Sequence, residues 1–296
     1  MTPAWVLERL DDPAFVFVEV DEEASTHHWE HMVGATFLDW RDCLRDLQAP
    51  APHGTAAFEE LMSRRGIAPE HEVVLFGDAG NRYAAAMLWL MRLHGHRHLH
   101  LMDGGRSAWR SAGGRVTDEE TVRAATRYRA QRADSDIRVT RDQVREQLEG
   151  RRDGVVLDCR TAEEFRGEDT PGEQGRDSLF SVRGHVPGAR NLADGWCLDR
   201  DGSIRPAAEL EQALQAAGVS RGRAITTYCH ASERSCLTWF VLREVLDFPV
   251  VRVYDGGWRE YGNLVGMPIA PGEEIAQGPR STGPSTRLPY SAQPPS

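Results

Sequence analysis

The chain repeats itself, and a duplicated chain has to build one architecture twice. The run His31-Met32-Val33-Gly34-Ala35 returns as His185-Val186-Pro187-Gly188-Ala189. Leu101-Met102-Asp103-Gly104-Gly105, leading to Trp109, returns as Val253-Tyr254-Asp255-Gly256-Gly257-Trp258. The apolar Val73-Val74-Leu75-Phe76 matches Ala224-Ile225-Thr226-Thr227-Tyr228, and Val18-Glu19 matches Leu157-Asp158. All four pairs keep the same order. The second half is longer between its first strand and its Gly-His element, and the extra residues fall in 166–182, rich in Gly, Asp and Arg.

Each half alternates short apolar strands with amphipathic segments, which specifies an α/β fold with a mainly parallel sheet covered by helices on both faces. In the second half Val155-Val156-Leu157 reads as a strand, and Thr161-Ala162-Glu163-Glu164 as a capping box opening a helix. Residues 207–217 read as a helix with Leu210 and Leu214 on one face. A strand before Cys229, a helix over 235–245, a strand over 250–254 and a short helix from Gly257 follow. Residues 127–138 form a polar linker between the halves. The stretch from about Pro271 to Ser296, rich in Pro, Gly, Ser and Gln, reads as mobile or draped on the surface.

Composition narrows the function. The chain has 296 residues, enough for two domains, with 40% hydrophobic and 27% charged residues. No apolar run is long enough to cross a membrane, and Met1 to Glu8 lack the features of a signal peptide, so the expected location is the cytoplasm. The net charge is −10 and the arginines are scattered, which speaks against nucleic acid as a partner. His94, His96, His98 and His100 alternate as on one strand face, but without a carboxylate or thiolate beside them they read as solvated rather than as metal ligands. His31 and His185 recur at matching positions, which points to a local backbone hydrogen bond.

The five cysteines, Cys43, Cys159, Cys197, Cys229 and Cys236, are odd in number and have no zinc-knuckle spacing. Cys43, Cys159 and Cys236 read as small buried hydrophobes, and Cys197 falls in a loop of open role. Cys229 differs. It ends an apolar strand, and a tight loop, His230-Ala231-Ser232-Glu233-Arg234-Ser235, leads into a helix. Unpaired backbone N–H groups and a helix N-terminus then face the sulfur, an arrangement expected to ease loss of its proton and make it nucleophilic.

With its doubled Gly-Ala and Asp-Gly-Gly elements, the Cys229–Ser235 loop and Trp258-Arg259-Glu260-Tyr261-Gly262-Asn263, nearly the whole chain resembles the tandem-domain rhodaneses, the thiosulfate and 3-mercaptopyruvate sulfurtransferases. The resemblance implies a rhodanese-like domain over 1–130 without the reactive thiol, a catalytic rhodanese domain over 131–272, and a tail over 273–296. The first-half segment matching Cys229 is Phe76-Gly77-Asp78-Ala79-Gly80-Asn81, which has no thiol.

The implied reaction is two-step sulfur transfer through a Cys229 persulfide, from a small anionic donor to cyanide or a cellular thiol, with no metal or organic cofactor. The resemblance implies donor-binding roles for Arg166 and Arg176; from its place inside the loop Arg234 is expected to fold over it or pair with Glu233, and His230, where the family has arginine or glycine, to supply positive charge. The amides of His230, Ala231, Ser232, Glu233, Arg234 and Ser235 would cradle the anion. Ser232 stands where glycine is common, at a steric cost if its φ is positive. The Glu233-Arg234-Ser235 run favours thiosulfate as donor. The alternatives are 3-mercaptopyruvate, or a silent interaction module of the same fold. A cysteine-arginine phosphatase is disfavoured because Cys229 and Arg234 lie one residue too close.

Overall fold

The computed structural model describes residues 1–22, 24–41, 54–131, 134–168, 182–193 and 195–271. Cys43, Arg176 and the tail 273–296 lie outside the described residues.

The first half contains strands β1 (Phe15–Asp21), β2 (His31–Met32), β3 (Ala35–Asp39), β4 (Glu72–Phe76), β5 (Leu99–Leu101) and β6 (Val116–Thr117). Four of them form a parallel sheet in the order β3-β1-β4-β5, while β2 and β6 pair as a small antiparallel ribbon. The second half contributes β7 (Arg138–Val139), β8 (Val155–Asp158), β9 (Arg190–Asn191), β10 (Ile225–Tyr228) and β11 (Val251–Tyr254). These run parallel in the order β7-β11-β10-β8-β9. By their pairing, β1 corresponds to β8, β4 to β10, β5 to β11 and β3 to β9. The duplicated landmarks therefore occupy equivalent places.

Successive strand side chains point to opposite faces, and the three cores follow that alternation. Val16, Val18 and Val20 of β1 join Val155 and Leu157 of β8, Ile225 of β10 and Val253 of β11 in one core shared by both halves. The outer faces have separate cores. Phe17, Val74 and Phe76 pack with Val6 and Trp109 in the first half, and Val156, Tyr228 and Tyr254 with Val144, Phe165 and Trp258 in the second. The shared core is filled by the helix Arg82–Leu93, whose residues from Ala84 to Met91 are all buried. It packs on the helix Glu233–Phe240 of the other half. A helix apolar all round has no face for water, so the two halves meet along it.

Local expectations are met in detail. Thr161 and Glu164 form both bonds of the capping box on the helix Ala162–Arg166. Leu210 and Leu214 are buried on the helix Ala207–Ala216. The helix Glu233–Phe240 continues as a π turn over Val241–Val245. His31 Nδ1 lies 2.7 Å from the His27 carbonyl and His185 Nδ1 2.8 Å from that of Phe165, the recurring backbone bonds expected of these rings.

The linker and the histidine row differ from expectation. Tyr128 is 1% exposed, so part of the linker is packed. Its hydroxyl lies 2.9 Å from His96 Nδ1, whose Nε2 lies 3.0 Å from the His71 carbonyl. The carbonyl can only accept, so Nε2 carries the proton and Nδ1 accepts from the tyrosine. Of the four histidines only His100 is on a strand. His94 is buried, stacked on Phe58 with ring centroids 4.1 Å apart, and His98 and His100 both face Glu72. Among the described residues no three His, Cys, Asp or Glu side chains are grouped to hold a metal, and no helix is long and apolar enough to cross a membrane.

Burial holds His31, His71 and His96 below the usual histidine pKa. A histidine kept neutral in the fold takes its proton in the unfolded chain first, so stability is lost as pH falls through about 6.5. His96→Gln removes one such proton. Its drop in Tm between pH 7.5 and pH 5 should be smaller than the parent's; an equal drop would contradict this account of the His96 site.

Candidate active site

Strand β10 ends at Tyr228 and delivers Cys229 to the C-terminal edge of the sheet, where ligands of open parallel sheets bind. The turn after β11 clamps it there. Trp258 N–H donates to the Cys229 carbonyl at 2.7 Å and Arg259 N–H to that of His230 at 3.1 Å. Gly257 makes this approach possible. Its φ is +56°, and a Cβ there would lie 2.6 Å from the His230 oxygen and 2.7 Å from that of Cys229. This is the physical content of the Asp-Gly-Gly element.

The first half builds the same clamp with a different residue inside it. Arg106 N–H donates to the Gly77 carbonyl at 3.3 Å, and Gly105, with φ also +56°, sits against it. Gly77 thus stands where Cys229 stands. A Cβ on Gly77 would collide with the Val20 carbonyl oxygen, so this position accepts no side chain at all.

Between Cys229 and the helix, Ser232 adopts φ +76° and ψ −22°. The left-handed turn expected of a glycine is therefore made by serine. Cys236 N–H donates to the Ser232 carbonyl at 2.9 Å, and the Ser235 hydroxyl donates to it at 2.8 Å.

The thiol itself departs from expectation. Cys229 is 0% exposed, and its pKa is pushed up to about 11. Burial is the main cause, and the Glu233 carboxylate adds to it. Arg234 and hydrogen bonds from the Ser235 backbone and side chain pull the other way. A thiolate here would lose its hydration, and the first residue of the helix, Glu233, is an acid whose charge opposes the positive helix end. The site as it stands holds a thiol, not the ready thiolate expected from the sequence.

The charged side chains around it are organised as follows. Arg234 binds both oxygens of Glu164, at 2.6 and 3.1 Å, with its Nε 3.7 Å from Glu233. Its main partner is therefore Glu164, not Glu233, and its charge is held within the protein. Glu233 Oε2 is buried without a hydrogen-bond partner among the described residues. Arg166 lies at the end of its helix with its guanidinium 2.8 Å from Glu168 and 3.6 Å from Glu163. His230 does not supply positive charge at rest. Burial lowers its pKa, Glu164 raises it, and Arg234, Arg160 and Arg259 lower it further, which leaves a neutral ring. Its Nδ1 is buried and has no hydrogen-bond partner among the described residues. The Ala231 carbonyl accepts from the Ser232 hydroxyl at 2.6 Å.

Beneath the loop lies a charged floor that the sequence did not reveal. Arg160 binds Asp158 at 2.6 Å, donates to the Gly184 carbonyl at 2.8 Å, and lies 4.4 Å from the centroid of a Trp258 ring. The Tyr228 hydroxyl donates to the same carboxylate. The matching first-half position, Glu19, is also fully buried and binds Arg106 and His27. Glu164 was legible only as a capping residue; its tie to Arg234 spans seventy positions. Cys159 and Cys236 are buried, as expected of small hydrophobes, and Cys197 joins them.

Comparison with known proteins agrees with this geometry. The Rhodanese-like domain family matches the chain twice, over residues 2–112 and 140–264. The chain belongs to the rhodanese family. It is 38% identical over 277 residues to the sulfur carrier protein TtuD of Thermus thermophilus, covering 91% of this chain and 95% of that protein. It is also 38% identical to a protein of Saccharopolyspora erythraea named "Putative thiosulfate sulfurtransferase", with 90% and 93% covered. Among solved structures, the 3-mercaptopyruvate sulfurtransferase SseA of Escherichia coli shares the fold with a TM-score of 0.75 at 23% identity, covering 87% of this chain and 98% of that one. The Rhodanese-like domain thus occurs twice, with a cysteine at the strand-end loop of the second copy and glycine in the first.

Two substitutions test the loop. Ser232→Gly relieves a left-handed serine, which costs about 1–2 kcal/mol, against the greater flexibility of unfolded glycine. Urea denaturation should show stability unchanged or raised by up to about 1 kcal/mol; a clear loss would contradict the turn described. Glu233→Gln removes the carboxylate charge beside the sulfur. Alkylation of the Cys229 peptide at pH 8 should speed up by about 3–10-fold, since one pKa unit is tenfold in thiolate fraction. An unchanged or slower rate would remove Glu233 from the electrostatics of the thiol.

Proposed function

We propose that the protein is a thiosulfate sulfurtransferase that carries sulfur on Cys229. The sulfur of Cys229, its proton released, attacks the outer sulfur of thiosulfate. A new S–S bond forms, the old one breaks, and sulfite leaves with the bonding electrons. The persulfide then gives its outer sulfur to cyanide or a thiol, and Cys229 is restored, as in other covalent two-step catalysis. The observation that carries this reading is the contrast between the two clamps. Matching glycine turns hold a sulfur in one half and exclude any side chain in the other. Residues 131–272 would then act as the catalytic domain, and 1–130 as the partner that closes the cleft.

The sealed thiol has a consequence for this chemistry. Because Cys229 is fully buried, a donor reaches it only when part of the structure around the loop gives way. Once inside, it meets amide and hydroxyl donors in a water-poor site, where they act more strongly than in water.

A second reading is supported by the relative named a sulfur carrier protein. In it the persulfide is handed to another protein or thiol, and cyanide merely stands in for that acceptor. Both readings need the same first step.

The test is steady-state formation of thiocyanate from thiosulfate and cyanide, with 3-mercaptopyruvate as the competing donor. The parent should turn over with the higher kcat/KM for thiosulfate. Cys229→Ser should fall to background while its Tm stays close to the parent's. Near-parent activity in Cys229→Ser would overturn the assignment, and a preference for 3-mercaptopyruvate would overturn the choice of donor.

A further inference from the structure

We propose that His230 couples donor capture to proton uptake: its imidazole takes a proton as a dianionic sulfur donor enters, and holds that donor through the charged Nδ1–H. The proposal rests on the reading of the donor as thiosulfate.

Three observations carry it. His230 directly follows the nucleophile, and its carbonyl is pinned by Arg259 N–H at 3.1 Å under the Gly257 turn, so the residue cannot drift from the sulfur. Its Nδ1 is buried yet makes no hydrogen bond among the described residues, which leaves one position for a ligand to fill. Two of the three neighbouring guanidiniums are already engaged. Arg234 is held by Glu164 at 2.6 Å and Arg160 by Asp158 at 2.6 Å. Their charges are largely balanced within the protein, whereas the imidazole can gain a charge when one is needed.

The charges that act on the ring come from each element packed around it. Glu164 lies on the helix Ala162–Arg166, Arg160 just before that helix, Arg234 on the helix Glu233–Phe240, and Arg259 on the helix Gly257–Tyr261. Cys229 and Glu233 flank it on its own loop. Burial and three guanidiniums oppose protonation of the ring, and Glu164 favours it. A dianion against Nδ1 reverses that balance, because a close opposite charge favours the charged form. By linkage the same coupling must act in both directions: donor raises the proton affinity of His230, and protons raise the affinity for donor. The proton comes from solvent and returns to it when the anion leaves, so no other reactant is needed.

Two measurements test this. The first is the KM for thiosulfate between pH 5.5 and 8.5. In the parent it should rise with pH, by about tenfold per unit once the ring in the free enzyme is neutral. In His230→Asn, which keeps a donor near the Nδ1 position but cannot ionise, KM should be high and flat. In His230→Arg it should be low and flat. A parent profile shared by the Asn variant would overturn the proposal.

The second needs no turnover. In Cys229→Ser, which can hold thiosulfate but not react with it, the His230 ring is titrated by NMR with and without thiosulfate. Its pKa should rise by at least about one unit on binding. An unmoved pKa would overturn the coupling even if the parent transfers sulfur. Conversely, failure of the parent to transfer sulfur at any pH would overturn the donor assignment while the NMR result still decides the fate of His230.

Discussion

The packing of the helix Arg82–Leu93 on the helix Glu233–Phe240 is the contact on which the rest of the molecule depends. Each helix starts just after the strand-end loop of its own half, so joining the helices also brings the two loops together. Ala84, Ala85 and Ala86 keep the first helix slim, and Met87, Leu88, Trp89, Leu90 and Met91 fill the space between the sheets. Each large apolar side chain buried there contributes about 1.5–3 kcal/mol. Polar bonds at the rim add register: the Asp103 carboxylate accepts from Ile204 N–H at 2.8 Å across the two halves. Cys229, just before the second helix, is fully buried, and that burial is what raises its pKa.

Duplication gave the two halves one backbone and two fates. Both clamp the residue after the central strand with a glycine at φ +56°. Both bury a carboxylate at the matching position of an adjacent strand, Glu19 or Asp158, and neutralise it with arginine. In the first half the clamped residue is Gly77, pressed against Val20, and the loop carries Ala79, Gly80 and Asn81 in left-handed conformations. That loop can only serve as a wall. In the second half the clamped residue has room for a sulfur. The difference between the two clamped positions follows from the distance between a Cβ and one carbonyl oxygen.

What could be read from the sequence was local or repeated. The alternation of strands and helices, the Thr161–Glu164 cap, the backbone bonds of His31 and His185 and the steric cost of a left-handed Ser232 all depend on neighbours in the chain or on a matched copy. The features that escaped it arise from long-range contact. Arg234 meets Glu164, Tyr128 reaches His96, and the Tyr228 hydroxyl reaches Asp158 only after folding. The His94–His100 alternation suggested a strand, but helix Arg82–Leu93 ends just before it and turns His94 and His96 inward. The acidity of Cys229 could not be judged from its loop alone, because the burial that opposes the helix N-terminus exists only in the folded chain.

The central claim is that this one buried cysteine accepts a sulfur atom. The most direct measurement is the intact mass of the protein after exposure to thiosulfate, followed by mapping of the modified peptide. The account predicts a gain of one sulfur, located on Cys229 and absent from Cys229→Ser. A protein that stays unmodified, or that gains its sulfur on Cys159, Cys197 or Cys236, would contradict it.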